Sequence, residues 1–305
     1  MDSLLVQHII NWAVMGSIYT LIAIGFSLLF GLLNVIHFSH GDVSMIAPFV
    51  ALGSLQLIFG AIGGDAGLFA ILIALALAIV ATGLVGVGAD RLVIRRFRKS
   101  PAMMALVATV ALGTAIRELI RGFYPQGSNP KAFPTIADGF LSFGGGRLPL
   151  QPVVIILTTI AVVALVWFLL HKTPTGTRIR AVAEDPDTAL LMSIRPDRIF
   201  AFTFFLASAV GALGALFFAS HAGVVRFDFG VQLGLIGFSA AVIGGLGSMS
   251  GAVLGALAIA AVESVVQATV PDGASYRLVF AFLLVILMLC LRPSGILGKT
   301  VQEKV

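Results

Sequence analysis

Nine stretches of this chain, near residues 8–33, 43–60, 66–89, 101–120, 151–170, 198–219, 231–247, 251–270 and 276–291, are apolar over about the length of a membrane-crossing helix. Crossing about 30 Å of hydrocarbon takes roughly 20 helical residues, and the backbone must satisfy its own polar groups on the way, which leaves helices as the spanning unit. Composition agrees: 59% of residues are hydrophobic and 11% charged, with a mean hydropathy of +1.07, whereas soluble chains carry about 25% charged residues. Nineteen Lys and Arg with fourteen Asp and Glu cannot cover the water-facing surface of 305 residues. A soluble enzyme, a nucleic-acid module and a disordered chain are thereby excluded. The expected fold is an all-α polytopic membrane protein of about nine transmembrane helices. Cys290 is the single cysteine, so no disulfide closes within the chain.

The basic residues set an expected orientation. Five lie in Arg91–Lys99, five in Lys172–Arg198 and three after the last span (Arg292, Lys299, Lys304), thirteen of the nineteen. Loops rich in Lys and Arg stay cytoplasmic, so these three stretches are expected inside. Counting back through three spans puts the N-terminus outside, and no Lys or Arg precedes Arg91. The opening MDSLLVQ has no basic run ahead of its apolar stretch, so the first span is expected to be retained. The same count gives two halves of inverted topology, about 1–122 and 198–305, with a connector at 151–170 and a cytoplasmic loop at 172–198. A shift of 181 residues lays Ser39-His40 on Ser220-His221. Inverted halves with broken helices commonly hold a substrate path near the midplane.

Asn34, His37, Ser39, His40, Gly41 and Asp42 form the most polar stretch near the membrane interior. A carboxylate in hydrocarbon costs roughly 2.5–3.5 kcal/mol on insertion scales, so the segment is either a helix break lining a path, with Asp42 as an N-cap, or a capped turn at the membrane surface. His37, His40 and Asp42 lack a fourth ligand at metal spacing. Ser39, His40 and Asp42, neighbours on one turn, cannot form a relay in which His bridges the other two. Glu263 lies inside the eighth span beside Ser264, with Gln267 one turn on. It is expected to face protein or water, either on the path or in a buried hydrogen bond. Arg117, Glu118 and Arg121 are expected at the outer interface, where Arg can snorkel. Gly247, Gly251 and Gly255 recur every four residues, a pattern of close helix packing.

Within 172–198, Asp185 is placed to N-cap a short helix with Pro186 first, Asp187 near the positive dipole end, and Ala189, Leu190, Leu191 and Ile194 as its apolar face. The helix must end before Pro196. Anionic lipid or a groove on a cytoplasmic partner would both accept such a helix, and the acidic Glu184, Asp185 and Asp187 favour the partner. Gly298-Lys299-Thr300 imitates the end of a phosphate-binding loop, but Pro293 stands where the loop needs its first glycine. Nucleotide energy is expected to come through a partner.

Four stretches in this order, GLLNVIHFSHGD (31–42) followed by Met45, TRIRAVAEDPDTALLMSI (177–194), AAVIGGLGSMSGAVLG (240–255) and RPSGILG (292–298), resemble the LivH-type permease subunits of ABC importers for branched-chain amino acids and related small polar solutes. The resemblance runs across nearly the whole chain. It implies an inner-membrane subunit that binds no cofactor of its own and has no ATPase site. Its implied partners are a homologous second permease subunit, two cytoplasmic ATPases that bind the ATP, and an extracytoplasmic solute-binding protein, with the outer loop 121–150 helping to receive the last. It also implies that 177–194 is the ATPase-coupling loop, the role falling on Arg180, Ala181, Ala183, Glu184, Asp185 and Ala189, and that 34–41 is a membrane-embedded break. The substrate path is expected near Asn34, His37, His40, Asp42 and Glu263. His37 and Ser39 stand where members more often have Asn and Ala, Pro48 where a small residue is usual, and Ser193 where Gly is common. A self-sufficient secondary transporter or channel, with Asp42 or Glu263 carrying the proton, is the alternative that inverted halves and broken helices equally allow. An intramembrane hydrolase lacks a separated nucleophile and base.

Overall fold

The computed structural model describes residues 2–62, 68–98, 100–143 and 146–298. Lys299 and Thr300 lie outside the described residues. Helices follow one another as α1 (Asp2–Leu33), α2 (His40–Ser44), α3 (Ile46–Ile62), α4 (Leu68–Ala89), a π-helical turn (Asp90–Ile94), α5 (Arg95–Phe97) and α6 (Ala102–Phe123). After a segment of short strands come α7 (Leu150–Lys172), α8 (Pro174–Glu184), α9 (Pro186–Leu191), α10 (Pro196–Ala222), α11 (Phe229–Gly244), α12 (Met249–Thr269) and α13 (Gly273–Leu291). Among the described residues seven helical stretches are long and apolar enough to cross a membrane, and two shorter ones, Phe229–Gly244 and Leu278–Leu291, complete the expected nine. Between α6 and α7 the chain adds strands β1 (Lys131–Ala132), β2 (Phe140–Phe143) and β3 (Gly146–Pro149). β2 pairs antiparallel with β3, and β1 with β4 (Val224–Val225) beyond α10.

The core forms around α1. This helix is apolar on every side, so each face can be covered by protein or by lipid, and in this fold protein covers its central turns. Accordingly Ile18, Tyr19, Leu21, Ile22, Ala23 and Ile24 are fully buried, with α12 and α10 as the principal neighbours and α11 and α7 on the remaining sides. α11 and α12 approach closely: a side chain at Gly251 or Gly255 would run into the backbone of Gly244 or Ala240. The glycine spacing read from the sequence is therefore a packing contact in α12. Among the described helices α6 packs mainly against α2, α5 and the π-helical turn.

Prolines start the helices of the 172–198 segment, where a missing N–H costs nothing. Pro174, Pro186 and Pro196 each occupy the first turn of α8, α9 and α10. The Asp185 side chain accepts a 2.9 Å hydrogen bond from Asp187 N–H and caps α9 as expected. The segment holds more helix than the sequence reading gave it, because Thr173 caps α8 by accepting from Gly176 N–H at 3.3 Å. Ser193 adopts φ +62°, the left-handed region that glycine occupies without strain, which is why glycine is usual there.

Candidate functional site: a buried helical turn in a glycine cradle

α1 ends when Asn34 turns to φ +52° with its N–H on Phe30 O at 2.8 Å. The chain then runs non-helically to His40 and doubles back beside α1, for His40 packs over Gly25, about 12 Å before the end of α1 at 1.5 Å per residue. Phe38 N–H donates to Thr109 Oγ1 of α6 at 3.2 Å along the way. All five residues of α2 are buried. This is the interior break, and the surface-turn alternative is set aside.

Four helices make room for α2 by presenting a glycine to it. Gly25 of α1 and Gly211 of α10 lie on the His40 ring, Gly113 of α6 on the Asp42 carboxylate, and Gly230 of α11 on the Asp42 backbone and carboxylate. A Cβ at Gly211 would stand 2.9 Å from His40 Cε1 and Nε2, and one at Gly230 would stand 2.6 Å from Asp42 Oδ1. The sequence reading missed these four glycines. Their signal was a glycine inside an apolar helix, where it costs about 1 kcal/mol against alanine and usually has a packing reason.

The side chains have distinct partners. His37 Nε2 lies 3.1 Å from Ser39 Oγ, and its ring meets Phe204 edge-on at 5.4 Å. His40 is fully buried, with Phe26 edge-on at 4.9 Å. Asp42 is the third residue of α2 and not its N-cap, a place taken by Ser39. Its carboxylate Oδ1 instead faces Arg117 Nε at 3.4 Å. Arg117 therefore turns inward, while Glu118 and Arg121 pair with each other at 3.4 Å on the exposed face, as expected for an interface. Glu263 belongs to another contact set: Tyr19 Oη donates to its carboxylate at 2.7 Å, both residues buried.

A cavity of about 460 Å³ lies below the break, lined by Asn34 and His37, by Arg98 and Thr109, and by Ala183 and Asp187 of α8 and α9. It brings two of the expected path residues, Asn34 and His37, and one of the expected coupling residues, Ala183, to one space, while His40, Asp42 and Glu263 lie outside its lining. Leu32 of α1 packs with Ile179, Val182 and Ala189, together with Ile199 and Phe200 of α10. Ala189 is buried there, whereas Arg180, Ala183, Glu184 and Asp185 are exposed. The apolar face expected for α9 is split, since Leu190, Leu191 and Met192 point outward. Hydrogen bonds from the Thr188 hydroxyl first, then from the Thr188 and Asp187 N–H groups, hold the Asp185 carboxyl below the usual carboxylate range.

Residues 8–289 match the family described as branched-chain amino acid transport system / permease component. The chain belongs to this family. It is 32% identical to the high-affinity branched-chain amino acid transport system permease protein BraD of Pseudomonas aeruginosa, over 98% of this chain and 97% of that one. It is 31% identical to the permease protein LivH of Escherichia coli with the same coverage. A shorter likeness, 35% over 39% of this chain and 36% of the other, links it to the ribose import permease protein RbsC of Bacillus subtilis. The family assignment makes the chain a membrane permease subunit, in keeping with the seven long apolar helices among its described residues.

Proposed function

We propose that this chain is the permease subunit of an ABC importer that carries branched-chain amino acids or a related small polar solute across the inner membrane, with ATP hydrolysed on partner subunits. It pairs with a homologous second permease, two ATPases dock on its cytoplasmic side, and an extracytoplasmic binding protein delivers solute to loop 121–150. The N-terminus faces out and the C-terminus faces the cytoplasm. The path runs by Asn34, His37, His40 and Asp42, with Glu263 held to α1 by Tyr19.

The observation that carries this reading is the cavity shared by the break and by α8–α9. Exposed Arg180, Ala183, Glu184 and Asp185, with Ala181 half-buried behind them, offer a docking surface to the ATPase. Buried Ala189 seats α9 on Leu32. ATPase closure then moves the last turn of α1 and rocks one inverted half against the other.

The test is a mild-detergent pull-down of tagged chain from native membranes, followed by ATP-driven leucine uptake in proteoliposomes. ATPases are expected to co-purify with wild type and to be lost on Glu184→Lys while the chain stays inserted. Solute uptake by the chain alone under a proton gradient, without ATP, would replace this reading with a secondary transporter.

A further inference from the structure

The pair between Asp42 and Arg117 is incompletely satisfied. Its charges are 3.4 Å apart, and neither Asp42 Oδ1 nor Arg117 Nε makes a hydrogen bond. Charges taken out of water are repaid only by close, aligned hydrogen bonds. Of the five guanidinium donors, Nη2 reaches Thr114 Oγ1 at 3.0 Å. Gly113 and Gly230 leave the Asp42 carboxylate room between α6 and α11 by having no side chain there.

The pair also has an open side. Asp42 is 6% exposed, but the Arg117 side chain is 27% exposed, and Thr114 and Glu118 on the same helix are exposed. Thr114, Arg117 and Glu118 stand at positions i, i+3 and i+4, one face of α6. Polar groups on a spanning helix face water or protein and not lipid. Behind this face lie one anion and one cation whose mutual contact is poor.

A molecule with an ammonium and a carboxylate on a single carbon would satisfy both. We propose that Asp42 and Arg117 form a binding site for the zwitterionic head of an α-amino acid, Asp42 taking the ammonium and Arg117 the carboxylate as the solute passes the open face of α6. This inference rests on the transport reading of the same cluster and deepens it. It sets the solute class as α-amino acids, whose side chain is left free, and excludes urea and simple amides, which carry neither charge.

The test uses the assembled transporter with its binding protein in proteoliposomes, supplied with a mixture of radiolabelled leucine, isoleucine, valine and alanine, and it reads uptake and ATP hydrolysis together. Arg117→Gln is expected to lower uptake per ATP hydrolysed by about tenfold or more. The double variant Asp42→Asn with Arg117→Gln leaves no lone buried charge, so a merely structural pair would be restored by it. It is expected to assemble and to keep binding-protein-stimulated ATPase activity, yet to remain at the low uptake of the single variant. Uptake within twofold of wild type in the double variant overturns the proposal, as does a proportional loss of uptake and ATPase activity. A wild-type complex that takes up no amino acid with ATP overturns the transport reading and this inference with it.

Discussion

Arg98 is the residue whose removal should cost most where the π-helical turn meets α10. Its guanidinium donates to Asp90, which is 2% exposed, reaches Asp197 at 3.4 Å and lies 3.6 Å over the Phe200 ring. Replacing it by Met keeps an apolar stem on Phe200 and deletes the charge. The Asp197 contact is worth about 0–1 kcal/mol, because that carboxylate is mostly exposed and keeps Arg95 at 2.7 Å. The stacking over Phe200 is worth about 0.5–2 kcal/mol. Asp90 dominates, since an ion left buried without its partner costs about 3–5 kcal/mol. Arg98→Met should therefore destabilise strongly, and adding Asp90→Asn should recover more than half of the loss. The assay is unfolding of the purified chain in mixed micelles of rising SDS fraction, followed by the fluorescence of its two Trp. A coupling energy of about 2 kcal/mol or more between the two sites is expected. Single and double variants unfolding at the same SDS fraction would refute the reasoning.

The cradle predicts that Gly211→Val overpacks His40 and costs about 1–3 kcal/mol, while Gly53→Val, with nothing within 4 Å of its added Cβ, is silent; equal folded yields in detergent would count against the cradle. Ser193→Gly should raise the unfolding midpoint by roughly 0.5 kcal/mol, the relief of a left-handed residue less the entropy glycine adds to the unfolded chain. A lowered midpoint would mean that Ser193 is not strained.

The spans were readable because hydrocarbon imposes a length and a polarity on each helix in isolation, so α7 and α12 fall within a few residues of their expected ends. The cap at Asp185 was readable for the same reason, being a bargain among neighbours in sequence. Arg117 was not. Its meaning depends on Asp42, 75 residues earlier, and a single sequence carries no signal for which face of α6 meets which turn of α2. Glu118 and Arg121 are exposed and paired with each other, whereas Arg117 is turned inward by one tertiary contact. The same holds for the cradle, whose four glycines come from four helices and converge only in the fold. Glu263 shows a middle case: its burial was readable, but Tyr19 as its partner was not.

The last turn of α1 is where these features meet. Leu32 is seated on Ile179, Val182 and Ala189 of α8 and α9, and Asn34, two residues on, starts the excursion that places His40 and Asp42 in the cradle. The excursion from Val35 to Ser39 lies outside any helix, whereas α1 is buried without interruption from Gly16 to Leu29. A shift of α8–α9 by a fraction of a helical turn is therefore opposed by the rigid body of α1 and accommodated in the break and the cavity beneath it. Close-packed interiors respond to such a push by exchanging one arrangement for another rather than by bending. The weakly satisfied contact between Asp42 and Arg117 is the least costly one there to exchange.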